Sequence, residues 1–305
     1  MIKYYYRESL AKDLKQLDEF EPGCWIHGKA LSDEEVTLLS EKFSLEAGHI
    51  TDALDPFEVP RLEIEDNATY VFMRVPEKVG NAVETIPFMI ALGEDFILTI
   101  TLQDLKFLGK FQDGSYKVYT THYIEFLVQV LSAVNAAYTR HIMDINRQVR
   151  AIRVRLERIE DRDIIKFVDF EQVLNDFISA LIPMSLIFRS LLKTDAINRQ
   201  EDNYDMFEDL LLANEQLIES AKTALKTIVN IRDAYSTIMT QDLNRVIKIL
   251  TSLTIIVTIP TMISSLYGMN IRLPFERSPY AFYGVILVTV FSVLVFWVVF
   301  KKKRW

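Results

Sequence analysis

The sequence has a single cysteine, Cys24, and four histidines, His27, His49, His122 and His141, all in its first half. One cysteine excludes a disulfide framework and fits a reducing compartment. No glycine-rich phosphate loop, HExxH, GxSxG or Cys/His cluster occurs, so no enzyme chemistry is singled out and none is expected. Glycine is missing from residue 115 to 267, although seven of the nine glycines lie between Gly23 and Gly114. Charge is missing from two stretches near the C-terminus, residues 249 to 269 (ILTSLTIIVTIPTMISSLYGM) and 280 to 300 (YAFYGVILVTVFSVLVFWVVF).

Each uncharged stretch has about 21 residues, roughly 31 Å as helix, which matches the hydrocarbon core of a bilayer. Two transmembrane helices are therefore expected; buried core helices are the alternative, but two successive runs of this length would be unusual at the end of a soluble domain. A third apolar stretch, Phe177 to Phe188, is shorter and holds Pro183. It is expected to be a kinked or broken helix buried in protein.

Basic residues flank the outer ends of the two runs: Arg245 and Lys248 before the first, Lys301, Lys302, Lys303 and Arg304 after the second, and only Arg272 and Arg277 between them. That bias predicts a multi-pass cell-membrane protein with both termini in the cytoplasm. The start, MIKYYYRESLAKDLK, has no apolar core, so no signal peptide is expected. A net charge of -8 beside a basic tail places the acidic excess in the cytoplasmic part. Nucleic acid is not an expected partner of such a surface.

The chain changes character near residue 115. Before it, Tyr70 to Val75 and Phe96 to Ile100 are short apolar runs between turn signals and predict strands. Ser32 and Glu35 stand in capping-box spacing and open a helix. After Tyr119 helices are expected near 122 to 160, near 164 to 193, and from about Tyr204 without a break into the first apolar run. Arginines at 140, 147, 150, 153, 155 and 158 alternate with Ile145, Val149, Ile152, Leu156 and Ile159. This is the pattern of a solvated amphipathic face, not of a nucleic-acid stripe.

The expected organisation is α+β: an α/β cytoplasmic domain over residues 1–120, a helical and stalk region over 121–245, a first transmembrane helix over 246–270, an external loop over 271–279, a second transmembrane helix over 280–300, and a basic cytoplasmic tail over 301–305.

Polar residues in the first run are ordered. Asn244, Thr251, Thr258 and Ser265 recur at every seventh position, with Thr254 and Thr261 interleaved. Spacings of three and four place them on one helix face. Such a stripe fits a close helix–helix contact or a water-facing pore wall equally well; its continuation toward the amide of Asn270 favours the pore, which two helices can enclose only in an oligomer. With every histidine and the cysteine elsewhere, the wall would offer hydroxyl, carbonyl and amide oxygen, a set suited to a hard cation such as Mg²⁺ held through its own water.

The segment YGMN (267–270), placed between the two apolar runs, resembles the CorA family of divalent-cation channels. Asn244 at the helix start, Pro260-Thr261 ten residues before Asn270, and DALDPFEVPRLE (52–63) extend the likeness along the whole chain. The resemblance implies a homopentameric funnel in which the first membrane helix of each subunit lines one pore. Gly268, Met269 and Asn270 would form its selective outer mouth and Asn244 a polar ring at the inner end. Ile247 and Leu250 would form a hydrophobic constriction that gates by dewetting. Thr251, Thr254, Thr258 and Thr261 would line the wall between.

It further implies cytoplasmic Mg²⁺ sensing through carboxylates, here Asp52, Asp209 and Asp233, with Asp52 of one subunit facing Asp209 of the next. Mg²⁺ is then both cargo and regulator, with Co²⁺ and Ni²⁺ as surrogates and no prosthetic group. One departure stands out: IRLPFERSP follows GMN, leaving Glu276 as the only loop acid, between Arg272 and Arg277. This loop leaves a Zn²⁺-transporting relative as an alternative. A membrane-anchored scaffold without transport is a second one, and it has no use for a polar stripe.

Overall fold

The structure, a computed structural model, describes residues 1–9, 13–80, 82–155, 159–194, 197, 201–269 and 280–302. It divides into two compact units, Met1–Ile231 and Arg232–Trp305.

The strands of the first unit are β1 (Ile2–Tyr6), β2 (Lys15–Leu17), β3 (Cys24–Lys29), β4 (Arg61–Ile64), β5 (Thr69–Val79), β6 (Ala82–Leu92) and β7 (Phe96–Thr101). They form one sheet in the order β2-β1-β3-β7-β6-β5-β4. β3 and β7 run parallel, and the other neighbours are antiparallel. Gly80, at φ +60°, takes the left-handed conformation that the tight turn between β5 and β6 requires.

The central strands are apolar almost throughout because both sheet faces are covered. Cys24, Ile26, Tyr70, Phe72, Leu98 and Ile100 point to one face and share a core with Val36 and Leu39 of α1 (Asp33–Phe43) and Ile50 of α2 (Ala47–Asp52). Alternation sends Trp25 to the other face, where its ring lies 5.3 Å from that of Phe126. Phe126 belongs to α4 (Tyr123–Arg153), which follows the short α3 (Lys106–Gln112). The expected capping box is formed: Ser32 Oγ accepts from the Glu35 N–H at 3.3 Å, and Glu35 Oε2 accepts from the Ser32 N–H at 3.0 Å.

α4 ends at Arg153, earlier than the expected 160. Glu160 and Asp163 cap one another reciprocally and start a new helix, α5 (Asp161–Leu191). Arg140, Arg147, Arg150 and Arg153 are exposed while Ile145, Val149 and Ile152 are buried, as a solvated amphipathic face requires. Arg158 and Leu156 lie outside the described residues.

Pro183 corrects one expectation. The stretch Phe177 to Phe188 is not broken, because α5 is helical on both sides of the proline. Neighbouring chain braces that turn: Asn214 Nδ2 donates to Leu181 O at 2.9 Å and to Ser185 Oγ at 2.7 Å. Asn214 belongs to α6 (Glu201–Tyr267), which contributes to both units. Within the first unit Asn135 Nδ2 of α4 also donates to Leu210 O of α6, at 3.2 Å. Tyr138, fully buried, donates to Arg74 O at 2.8 Å and meets Phe177 edge-on at 5.0 Å. One side chain thus ties α4 to β5 and α5.

The second unit holds the rest of α6 and α7 (Ala281–Lys302). α6 remains helical through Pro260 up to Tyr267. None of the described residues of α7 is buried within the chain. Helices α5, α6 and α7 are all long and apolar enough to cross a membrane. In α5 the most apolar stretch is 44% buried inside the chain, and in α6 and α7 it is 0% buried. α5 therefore owes its apolarity to a protein core, and α6 and α7 need another apolar medium to cover them.

Candidate pore face and acidic sites

The polar stripe of α6 stands on an exposed face. Asn244, Thr251, Thr254, Thr258, Thr261 and Ser265 are all exposed. Threonine hydroxyls bond back along the helix: Thr251 Oγ1 donates to Ile247 O at 2.8 Å, Thr254 Oγ1 to Leu250 O at 2.9 Å, and Thr261 Oγ1 to Val257 O at 2.8 Å. With each proton directed to the backbone, the hydroxyl oxygens keep free lone pairs outward, which are acceptors for the water around a hydrated cation. Toward the N-terminal end of this face, Ile247 and Leu250 are 50% and 62% exposed. They are its only large apolar positions between Asn244 and Thr251.

The helix closes with the Gly268 N–H donating to Ser264 O at 3.0 Å and Ser265 O at 3.2 Å, and the Met269 N–H to Leu266 O at 3.4 Å. Gly268 is not among the positive-φ glycines. A Cβ there would meet only Ser264 O at 3.4 Å and Ser265 O at 3.6 Å, ordinary contacts. Among the described residues, therefore, nothing around this position demands a glycine. Asn270 lies outside the described residues, as do Arg272, Glu276, Arg277, Lys303 and Arg304.

Asp52, the last residue of α2, is engaged within its own chain: Arg61 Nη2 stands 2.7 Å from its Oδ2. The same guanidinium pairs with Glu58 and, at 3.2 Å, with Glu63, and its Cζ lies 3.9 Å from the Phe72 ring centroid. Asp209 is exposed on α6 in the first unit, and Asp233 is exposed on α6 in the second. Among the described residues no group of three or more His, Cys, Asp or Glu side chains is placed to hold a metal ion. The Arg61 cluster escaped sequence reasoning, although acids at three positions before and two after one arginine were its visible signal.

Residues 21–302 match the family model for CorA-like Mg2+ transporter protein. The chain belongs to this family. It is 26% identical over 292 residues to the cobalt/magnesium transport protein CorA of Methanocaldococcus jannaschii, covering 92% of this chain and 90% of that one. Similarity to the magnesium transport protein CorA of Campylobacter jejuni is 29% over 170 residues, 53% of this chain and 50% of the relative. The fold matches the complete structure of the CorA magnesium transporter from Methanocaldococcus jannaschii with a TM-score of 0.87 at 22% identity, covering 99% of this chain and 98% of that one. It also matches the cytoplasmic domain of ZntB from Vibrio parahaemolyticus, with a TM-score of 0.65 at 10% identity over 78% of this chain and 98% of that one. The CorA fold is thus shared along the whole chain.

Proposed function

We propose that the protein is a Mg²⁺ channel of the cell membrane, carrying the ion passively into the cytoplasm as a homopentamer with both termini inside. The exposed hydroxyl face of α6, on a helix segment free of charge and ended by Gly268-Met269-Asn270, carries this reading. Five copies of that face around one axis give rings of oxygen that hold Mg²⁺ through its water shell, which the ion surrenders reluctantly. Asn270 amides form the outer mouth and Asn244 amides the inner ring, and just beyond Asn244 Ile247 and Leu250 form an apolar belt. A belt this short gates by dewetting over about one helical turn.

An inside-negative potential drives entry. At ~2.3 kcal/mol per charge per 100 mV, a divalent ion gains ~4.6 kcal/mol. Co²⁺ is an expected surrogate, in keeping with the name of the Methanocaldococcus relative, and Ni²⁺ shares its charge and ligand preference. Cytoplasmic Mg²⁺ closes the channel by binding between Asp52 of one subunit and Asp209 of the next, with Asp233 as a further acidic position. When the ion leaves, the carboxylates repel one another and loosen the ring.

The test is Mg²⁺ uptake into proteoliposomes holding a Mg²⁺-sensitive dye, with an inside-negative potential and low internal Mg²⁺, comparing wild type with Asn270→Ala. Uptake that is lost with the amide supports a conducting pore with its mouth at Asn270. Absence of uptake by folded, correctly oriented wild type overturns the Mg²⁺ reading; Zn²⁺ uptake in the same vesicles would then assign the chain to zinc transport, and no flux of either ion would leave a membrane-anchored scaffold.

A further inference from the structure

Where α3 and α4 approach the end of β5, the first unit gathers cations that the transport reading does not use. Lys78, Lys106, Lys110 and Arg140 line a cavity of 390 Å³ with two carboxylates, Glu77 and Asp144. Both carboxylates are already engaged. Glu77, 7% exposed, accepts the Lys106 ammonium at 3.0 Å, the Lys106 backbone N–H at 2.9 Å and the Lys78 backbone N–H at 3.1 Å. Burial pushes its pKa up, but these donors outweigh burial and hold it below the usual carboxylate range. Asp144 accepts from Gln148 Nε2 at 2.8 Å and pairs with Arg147.

Lys78, Lys110 and Arg140 form no ion pair among the described residues. Three cations without an ion pair therefore border one hollow, beside Glu77 and Asp144, in a chain whose net charge is -8. His141 is also in the wall, and burial first and then Arg140 lower its pKa, against the opposing pull of Glu77 and Asp144.

Lys110 and Arg140 border a second hollow as well, of 290 Å³, walled by Phe107, Tyr116, Ala133 and Ala136. Tyr116 stacks on Phe111 at 4.9 Å with 17° between the planes, which fixes its ring at the edge of the slot. Lys110 Nζ lies 5.9 Å from the Tyr116 ring centroid, joining the apolar slot to the basic hollow. A slot with an aromatic wall, continued by a hollow lined by cations without ion pairs, has the chemistry of a planar base followed by a chain of phosphates. A single phosphate would satisfy the arginine fork and leave the lysines and the slot unused.

We propose that these joined hollows bind a nucleoside polyphosphate, with the base in the slot beside Tyr116 and the phosphates among Lys78, Lys110 and Arg140. The cations are exposed, and each contributes little alone. Binding requires them together, and it weakens as salt rises.

The full-length protein in detergent, free of divalent cations, is titrated with ATP by calorimetry and separately with inorganic tripolyphosphate. ATP is expected to bind, and Lys110→Ala with Arg140→Ala to weaken both ligands by about tenfold or more. Ala136→Trp, which fills the slot from an exposed position, is expected to weaken ATP and leave tripolyphosphate unchanged. Lys78→Gln with Lys110→Gln supplies a second charge-removing pair in case Arg140→Ala perturbs α4. No binding of ATP at millimolar concentration overturns the proposal, as does wild-type affinity in both charge-removing pairs. Equal loss of both ligands in Ala136→Trp would show a non-selective polyanion surface and also overturn it. So would a change of oligomeric state on charge removal without ATP binding by wild type, which would assign the cations to a subunit contact.

Discussion

Arg61 Nη2 lies 2.7 Å from Asp52 Oδ2 of the same chain. The residue proposed to hold regulatory Mg²⁺ thus already holds a cation, one anchored by two further carboxylates and by the face of Phe72. At the proposed regulatory site a divalent cation would have to compete with the guanidinium for Asp52, and Arg61 would set the concentration at which Mg²⁺ wins.

Arg61→Ala is expected to lower the Mg²⁺ concentration that half-protects the protein from limited proteolysis by up to about five-fold, because partly exposed pairs contribute ~0.2–1 kcal/mol each. Asp52→Asn with Asp209→Asn is expected to abolish protection. Unchanged protection in that double variant would remove Asp52 and Asp209 from the regulatory role and leave the pore proposal standing.

The hydroxyl stripe separates a pore from a mere anchor. Thr254→Leu with Thr258→Leu keeps the helix apolar enough to insert but, in the proposed pore, would replace two rings of oxygen by hydrocarbon and lengthen the proposed belt beyond Ile247 and Leu250. Mg²⁺ flux in proteoliposomes is expected to fall by about tenfold or more, equivalent to ~1.4 kcal/mol on the barrier. Flux equal to wild type would take the stripe out of the ion path.

Ile247→Asn with Leu250→Asn is the reverse change, since it would wet the proposed belt. Uptake is expected to continue at internal Mg²⁺ concentrations that silence the wild type. A variant that remains silent there would place the gate elsewhere on the chain.

Much of this was legible in the residues. The strands at Tyr70 to Val75 and Phe96 to Ile100, the Ser32 and Glu35 cap and the uncharged runs each follow from local chemistry, and each lies where the sequence led. Pro183 misled because a proline's cost is local while its compensation is not: Asn214, some thirty positions later, braces the turn. Arg61 was hidden for a related reason. Its acids are near in sequence, but the Phe72 face that seats it comes from another strand. The hollow between Glu77, Lys110 and Arg140 joins three elements distant in sequence and had no linear signature at all.

Asn214 is 0% exposed and its amide bridges Leu181 O and Ser185 Oγ beside Pro183. Asn214→Ala deprives both acceptors and opens a void, at an expected cost of ~1–3 kcal/mol. Melting of the full-length protein in detergent checks this. A melting temperature unchanged from wild type would mean that α5 needs no brace at the proline.

Acid should weaken the first unit through His27. Its side chain is 5% exposed, and Nδ1 stands 3.0 Å from Thr99 Oγ1, which also accepts from Trp25 Nε1 at 2.8 Å. Burial, helped by the nearby Lys3 charge, lowers its pKa from 6.5 to about 4. The folded state therefore resists protonation that the unfolded chain accepts. Above pH 6.5 histidine is neutral in both states and stability is intact; between 6.5 and 4 only the unfolded chain gains the proton, and stability falls as pH falls. A shift of this size corresponds to ~3 kcal/mol lost across that window. His27→Gln removes the titration while keeping a hydrogen-bonding group, so its denaturant stability should fall less than that of wild type between pH 7 and pH 4. Parallel pH profiles for the two proteins would show that His27 is not the group that titrates.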